Sequence, residues 1–211
     1  MSIICPTVLA SEPHAYRDQV EKATSVANRI QVDLMDGIFT PTKSVNPIQV
    51  WWPEGTQADV HLMFARPTEH IETLVSLMPH MVIIHAEAEG DLVGVLQHFQ
   101  KVGIKAGVAL LKETSVESAR ALIAIADHVL VFSGDLGSFG GHADLTMLLK
   151  VPEIKVINPT IEIGWDGGAN ESNVAQLADG GIDVINVGGG IQKADDAQSA
   201  YDTLVTKLAI T

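Results

Sequence analysis

The sequence is poor in cysteine, in basic residues and in long apolar runs, and each shortage excludes a class of protein. With Cys5 as its single cysteine, the 211-residue chain can form neither an internal disulfide nor a cysteine metal cluster. The apolar runs are interrupted well before about 18 residues, so no membrane span is expected. The amino-terminal stretch has no basic leader, so no signal peptide is predicted and a cytoplasmic location is expected.

Acidic residues outnumber basic ones, 26 against 13, which gives a formal net charge of −13. A surface this acidic repels phosphate backbones, so nucleic-acid binding is not expected. A small anionic substrate is still compatible with this charge if backbone N–H groups hold it. Hydrophobic residues make up 46% of the chain, and no linker or repeat divides it. A single domain over residues 1–211 is therefore predicted.

Short β-branched segments alternate with longer amphipathic ones along the whole chain. At 67–77, for example, Ile71 and Leu74 recur at helical spacing beside the polar Glu69 and Glu72. Eight strands, each followed by a crossover, predict a parallel sheet that closes into a (β/α)8 TIM barrel, with an open doubly wound sheet as the alternative. The predicted strands are 3–9, 30–35, 59–63, 82–85, 106–110, 128–132, 156–163 and 184–187. The predicted helices are 13–28, 67–77, 92–102, 116–125, 145–150, 173–178 and 194–208, with a short one near 48–52.

Polar residues fall where such a barrel carries its chemistry, at the carboxyl ends of strands. Gln31, Asp33 and Met35 share one face of a strand because side chains two apart point the same way. An interior carboxylate needs a compensating partner, and Asp33, His61 and Asp166 from three strands would make an oxygen and nitrogen shell for a metal. Taken singly, each has an ordinary explanation: a cap, a core histidine and a turn.

Glycine clusters follow the last three predicted strands, at Gly140-Gly141, Gly167-Gly168 and 188–190. Barrels frequently bind phosphate with these loops, because glycine lets backbone N–H groups close on an anion. Any one pair is explained as well by a tight turn. Three clusters in adjacent loops favour a phosphate site.

Several segments carry a resemblance to a known family. They read VDLMDGIFTP (32–41), DVHLMFARP (59–67), IHAEAE (84–89), KAGVAL (105–110), FSGDLGSFGGH (132–142) and WDGGAN (165–170). In this order they resemble the ribulose-phosphate 3-epimerase family, and the match runs from CPTVLASE at 5–12 to NVGGGI at 186–191. The resemblance implies interconversion of ribulose 5-phosphate and xylulose 5-phosphate, a divalent metal (Zn, Mn, Fe or Mg), a sugar-phosphate substrate and a homo-oligomer.

The resemblance also implies roles for individual residues. Asp33 and Asp166 correspond to the acid/base pair, which also binds the metal, and His61 corresponds to a third ligand. Met35 and Met63 would pack around the enediolate, although ordinary core methionines explain them equally well. The residues implied to contact the substrate or its phosphate are Thr7, Met35, Met63, Gly140, Gly141, Gly167, Gly168, Gly188 and Gly189.

One departure from the family pattern concerns the metal directly. Gln31 stands where the family has its first histidine ligand, so metal binding is expected to be weakened, altered or lost. Two alternatives stay open: a phosphosugar-binding paralogue without epimerase activity, and a sibling barrel chemistry that uses a lysine, for which Lys43, Lys105 and Lys112 match no motif. The other departures are Thr7, Phe132, Ser138, Leu111-Lys112, Trp165 and Gly189.

Overall fold

Eight parallel strands form a closed barrel in chain order, so the predicted TIM barrel is confirmed. The structure is a computed structural model that describes residues 2–137 and 141–209, so Ser138 and Gly140 lie outside the described residues. The strands are β1 (Ile3–Val8), β2 (Arg29–Met35), β3 (Gln57–Met63), β4 (Met81–His85), β5 (Lys105–Leu110), β6 (His128–Phe132), β7 (Glu162–Asp166) and β8 (Val184–Val187).

Helices follow the strands around the outside of the barrel. Helix α3 illustrates their local cause: the Asp91 side chain accepts a hydrogen bond from the Gly94 N–H, which satisfies one free donor of the first turn, and the helix buries Val95, Leu96 and Phe99. In the described ranges, no helix is both long enough and apolar enough to cross a membrane. The helices are α1 (Pro13–Val26), α2 (Ile71–Leu77), α3 (Leu92–Lys101), α4 (Arg120–Ile123), α5 (Lys150–Ile157), α6 (Val174–Asp179), α7 (Gly189–Gln192) and α8 (Ala197–Leu208), with 3-10 turns at Pro47–Gln49, Pro67–His70 and Leu145–Leu149.

The seventh strand was predicted too early, at 156–163. Residues 156 and 157 instead end helix α5, and Val156 is 79% exposed. Pro159 lies inside the predicted segment and cannot donate to a sheet, which argues against a central strand there. Because β7 begins at Glu162, Asp166 is the last residue of the strand and not a loop residue. The predicted helix at 116–125 shortens to α4, and that at 194–208 begins later, at Ala197, where α8 starts.

Alternation along the strands separates two apolar cores. Val32 and Leu34 on β2 face outward into the larger core between barrel and helices, where burial of such a side chain stabilises the fold by roughly 1.5–3 kcal/mol. A smaller cluster lies inside the barrel and consists of Met81, Ile83, Ala109 and Leu130. The residues between the outward-facing ones, including Gln31 and Asp33, are therefore directed into the barrel.

A charged network closes the amino-terminal end of the barrel. Arg29 on β2 donates two hydrogen bonds to Glu162, at 2.8 and 2.7 Å, and a third to Asp59 at 2.7 Å. His128 contacts Glu162 at 2.8 Å, and His80 contacts Asp59 at 2.7 Å. These ion pairs lie at the end of the barrel opposite to the predicted site, where polar residues serve stability.

Candidate active site

Strand register brings the predicted acid/base and ligand residues together. Asp33 on β2 pairs with His61 on β3, two residues before the pair formed by Met35 and Met63. Asp166 ends β7 on the other side of the barrel. One ligand atom from each of Asp33, His61 and Asp166 lies within 4.8 Å of the other two. The fold therefore gathers this group in one place, although sequence spacing alone left each member with an ordinary explanation.

Gln31 occupies the centre of this group. Its Nε2 donates one hydrogen bond to Asp33 Oδ1 at 2.9 Å and another to Asp166 Oδ2 at 2.7 Å. The Gln31 side chain is buried, and its Oε1 has no hydrogen-bond partner among the residues the structure describes. The side-chain amide therefore holds the two carboxylates together through one nitrogen and leaves its oxygen unsatisfied.

His61 contacts both carboxylates through the same ring nitrogen. Its Nδ1 lies 3.0 Å from Asp33 Oδ1 and 3.5 Å from Asp166 Oδ2. Burial by itself would lower the pKa of His61, but the hydrogen bonds and charges of Asp166 and Asp33 outweigh burial and raise this pKa to about 9. The two carboxylates therefore favour a proton on His61, and a proton there neutralises part of their charge.

The environment of Asp33 favours the protonated form of its carboxyl group. Burial, followed by the neighbouring charge of Asp166, raises the pKa of Asp33, and the hydrogen bonds from His61 and Gln31 oppose that rise. A carboxyl group with a raised pKa beside a second carboxylate is the usual arrangement of an acid/base pair, because two close carboxylates do not both ionise freely.

Sequence reasoning missed two residues that extend the site, His85 at the end of β4 and Glu87 just after it. His85 Nε2 lies 2.9 Å from His61 Nε2, and His85 Nδ1 lies 3.2 Å from Glu87 Oε2. Burial lowers the pKa of His85 to about 4, so this ring is neutral near pH 7. The signal was available in IHAEAE, because His85 lies on the inward face of β4, as His61 lies on the inward face of β3.

A cavity of about 290 Å³ opens above the two aspartates. Thr7, Met63 and Phe132 contribute to its wall, while Met35 does not, and the Met35 sulfur accepts a hydrogen bond from Thr42 at 3.4 Å. Lys193 also lines the cavity and was not singled out by the sequence. Of the predicted phosphate residues, the structure places Gly141, Gly167, Gly168, Gly188 and Gly189 on this wall, and Gly140 lies outside the described residues.

Gly167 and Gly168 are required where they stand. Both have positive φ, at 102° and 71°, a region that strains other residues. A Cβ on Gly167 would overlap the backbone nitrogen of Gly134, and one on Gly168 would overlap that of Ala143. The loop after β7 therefore packs directly against the loop after β6, which brings the backbone of both to the cavity.

Trp165, one of the departures from the family pattern, does not face the site. Its ring is fully buried in the outer core, because it alternates with the inward-facing Asp166 on β7. The indole Nε1 donates a hydrogen bond to the carbonyl oxygen of Gly167 at 2.9 Å. The tryptophan thus holds the loop that carries Gly167 and Gly168.

The donor set fits a divalent metal ion. Two carboxylates and one imidazole suit Zn, Mn or Fe, and an amide oxygen would add a harder fourth ligand. Rotation of the Gln31 amide by 180° exchanges its oxygen and nitrogen, which would direct Oε1 at the position that Nε2 now takes. The unsatisfied Oε1 is the atom that would gain a partner by this rotation.

TIM-barrel enzymes carry their active sites at the carboxyl ends of the strands, where this chain gathers its acid–base side chains, and like its relatives the chain is an enzyme of this class. The family model described as "Ribulose-phosphate 3 epimerase family" matches residues 3–192. The chain is 32% identical over 209 residues to a ribulose-phosphate 3-epimerase of Helicobacter pylori, with 95% of each covered. It is 30% identical over 210 residues to one of Mycobacterium tuberculosis, covering 96% of this chain and 91% of that one. The chain therefore belongs to the ribulose-phosphate 3-epimerase family, whose members act on carbohydrates.

Solved structures with little sequence identity share the fold. A 3-hexulose-6-phosphate synthase aligns with a TM-score of 0.68 at 16% identity, covering 99% of this chain and all of that one. KGPDC from Streptococcus mutans aligns with a TM-score of 0.71 at 10% identity, covering 100% of this chain and 98% of that one. At these identities the likeness supports the barrel and carries no argument about activity.

Proposed function

We propose that this protein interconverts ribulose 5-phosphate and xylulose 5-phosphate, or a related pair of ketose phosphates. The observation that carries the proposal is the placement of Asp33 and Asp166 on opposite sides of the barrel, with a single nitrogen in hydrogen-bond contact with both. Two carboxylates arranged in this way can flank one carbon. One then removes the proton at C3 while the other returns a proton to the opposite face.

The properties of Asp33 support this assignment. Its raised pKa means that it keeps a proton at higher pH than an ordinary aspartate, which a residue that alternates between acid and base requires. His61 Nδ1 lies 3.0 Å from Asp33 Oδ1, so the same ring that contacts this carboxylate can join it in holding a cation. Asp33, His61 and Asp166, with Gln31 as the fourth residue, would hold a divalent ion. When bound, that ion supplies electrostatic stabilisation for the charge that develops on the substrate oxygens.

The glycine loops support a phosphate at the other end of the same cavity. Gly141, Gly167, Gly168, Gly188 and Gly189 line the wall together with Lys193. Backbone N–H groups held in such loops bind anions without a large positive charge, which agrees with a chain of net charge −13. Because the glycines and the aspartates line one cavity, a sugar phosphate can lie with its phosphate against the glycines and its reacting carbon between the aspartates.

The test measures loss of the C3 proton of ribulose 5-phosphate into deuterated water, with Mn²⁺, Zn²⁺, Mg²⁺ and no metal. Asp33→Asn and Asp166→Asn should each slow this exchange by at least about 100-fold, as expected for removal of a general acid or base. Asp179→Asn, on an exposed residue at the end of α6, is the matched control and should exchange as the parent does. Absence of exchange by the parent under every condition overturns the proposal.

A second candidate function has one observation in its favour. The Gln31 amide hydrogen-bonds both carboxylates and stands where the resemblance implies a histidine ligand, which is the arrangement expected of a phosphosugar-binding paralogue that has lost epimerisation. That protein would bind ribulose 5-phosphate, measured by calorimetry, but would exchange no C3 proton.

Homo-oligomerisation stays a prediction, and light scattering of the purified protein would measure it.

A further inference from the structure

A line of hydrogen-bonded groups continues from the candidate metal site into the barrel wall. His61 presents Nδ1 to Asp33 at 3.0 Å and its other nitrogen, Nε2, to His85 at 2.9 Å. His85 then presents Nδ1 to Glu87 Oε2 at 3.2 Å. Both histidine rings are 0% exposed, so each ring nitrogen finds its partner within the protein.

Glu87 fixes the direction of this line because a carboxylate can only accept. Its other oxygen, Oε1, accepts hydrogen bonds from the Leu111 backbone N–H at 3.0 Å and from the Thr114 hydroxyl. Burial raises the pKa of Glu87, but the hydrogen bonds from His85, Thr114 and Leu111 outweigh burial and leave it below its usual value. Glu87 is thus an ionised acceptor at the end of the line.

The positions of the ring protons follow from Glu87. Since Glu87 Oε2 accepts, His85 Nδ1 donates to it, and Nε2 is the ring nitrogen of His85 that can offer a lone pair. The two Nε2 atoms lie 2.9 Å apart and share one proton, and when His61 donates it, all three contacts of the line are satisfied in one direction. His61 therefore keeps its Nε2 proton. Its other nitrogen, Nδ1, faces Asp33 and Asp166 and is the one that can bind a metal ion in place of a proton.

Aromatic packing keeps the rings in this orientation. Phe39 lies with its ring centroid 4.7 Å from that of His85, and Phe132 lies 5.8 Å from His85 and 5.6 Å from His61. Each ring is therefore held from the side as well as by its nitrogens. The arrangement extends a common feature of metal sites, in which the second nitrogen of a histidine ligand donates to a carboxylate, by one intervening histidine.

We propose that Glu87, acting through His85, is a positioning residue that fixes the His61 tautomer whose Nδ1 lone pair receives a divalent metal ion. The proposal rests on the proposed function only in taking His61 as a metal ligand. Neither Glu87 nor His85 touches the cavity among the described residues. Their effect is therefore on metal affinity and on the position of one proton, and not on contact with the substrate.

Glu87→Gln changes little in side-chain shape and tests the direction in which the groups of this line donate their hydrogen bonds. A glutamine can accept from His85 only by directing its NH₂ at the Leu111 N–H, which also donates. Turned the other way, its NH₂ donates to His85 Nδ1, so His85 Nε2 must carry the proton and His61 Nδ1 becomes protonated. The first arrangement keeps the metal-binding tautomer only by setting two donors against each other, and the second removes that tautomer, so metal binding is weakened. The Zn²⁺ dissociation constant, measured by competition with a chelating dye, should rise about 10- to 100-fold.

The matched control is Glu89→Gln, whose carboxylate is 71% exposed beside Arg66 and should bind Zn²⁺ as the parent does. Thermal unfolding of the metal-free proteins checks that the variants fold. If Glu87→Gln does not fold, Thr114→Val removes one donor to Glu87 and should weaken Zn²⁺ binding about two- to fivefold. Nitrogen-15 NMR of the Zn²⁺-loaded parent should find His61 protonated at Nε2 and not at Nδ1.

Three outcomes would overturn the inference: unchanged Zn²⁺ affinity in folded Glu87→Gln, a proton on His61 Nδ1 in the loaded parent, or no binding of Zn²⁺ or Mn²⁺ by the parent. Failure of the proposed function has a different signature. It is the absence of C3 proton exchange in a protein whose Zn²⁺ affinity still depends on Glu87.

Discussion

Gln31 Nε2 donates a hydrogen bond to Asp166 Oδ2 at 2.7 Å, although the two residues lie on strands that do not pair. The bond crosses the barrel interior and links β2 to β7 at the level of the site, as Arg29 and Glu162 link them at the closed end. The same Gln31 nitrogen also holds Asp33. One amide nitrogen thus contacts both carboxylates of the candidate metal site at once.

Metal affinity should rise when this amide is removed. In Gln31→His, an imidazole nitrogen replaces an amide oxygen as the fourth donor, and no NH₂ competes for the carboxylates. We expect the Zn²⁺ dissociation constant to fall by about tenfold or more, which corresponds to about 1.4 kcal/mol. Gln57→His, at the exposed start of β3, provides the same substitution away from the site. Equal affinities of Gln31→His and the parent would contradict the role given to Gln31.

Acid stability should depend on Glu162 in the closed end of the barrel. Burial raises the pKa of Glu162, but Arg29 and His128 outweigh it and hold this pKa well below the usual 4.5. A depressed folded pKa stabilises the fold above pH 4.5, and the contribution is lost as the pH falls from there through the folded pKa. Glu162→Gln should therefore lower stability at pH 7 by about 1–3 kcal/mol, and its unfolding temperature should depend less on pH below about 4.5.

Differential scanning calorimetry between about pH 7 and pH 3 measures this effect. Glu153→Gln, on the exposed side of α5, serves as the control. It should keep both the stability and the pH profile of the parent. A Glu162→Gln profile parallel to that of the parent throughout would refute the assignment.

The close approach of two loops makes a further prediction for Gly167→Ala. The substitution combines a positive φ of 102° with overlap against Gly134. Gly103→Ala isolates the first effect, because Gly103 has φ of 84° but no atom within 4 Å of its Cβ position. We expect Gly103→Ala to cost about 1–2 kcal/mol and Gly167→Ala to cost clearly more, both measured by urea unfolding. Equal costs would mean that the loops separate freely.

Lys193 should contribute to anion binding beside the glycines. Its Nζ lies 4.0 Å from the position that a Cβ would take on Gly189. Because Lys193 is exposed, the contribution should be modest. Lys193→Gln should weaken the inhibition of C3 exchange by inorganic phosphate about two- to fivefold, and added salt should narrow the difference. Lys101→Gln, exposed at the end of α3, should change nothing.

The barrel was predictable because its strands repeat a simple pattern. The bounds of His128–Phe132 and Val184–Val187 were predicted to the residue, since each is a β-branched run between clear turn signals. The seventh strand was wrong because residues 156–157 are as β-branched as a strand yet belong to a helix end. Tertiary packing outweighed the local preference for a strand there. Pro159, which cannot donate to a sheet, was the sequence signal against that strand.

The candidate site was predictable in its members more than in its connections. The alternation of side chains along β2 and β3 indicated that Asp33 and His61 would both point into the barrel. No such rule indicates that Gln31 reaches Asp166 across the barrel, because this depends on barrel closure and on the Gln31 rotamer. The contact between His61 and His85 was equally hidden, since it needs the relative height of two neighbouring strands.

The inward residues of the barrel also set which substitutions can be combined. On β6, Leu130 separates His128 at the closed end from Phe132 at the site, and on β7 Gly164 separates Glu162 from Asp166. Changes at the two ends share no partner on these strands, so their free energies should add. A library that varies the site can therefore start from a barrel whose closed end has been reinforced independently.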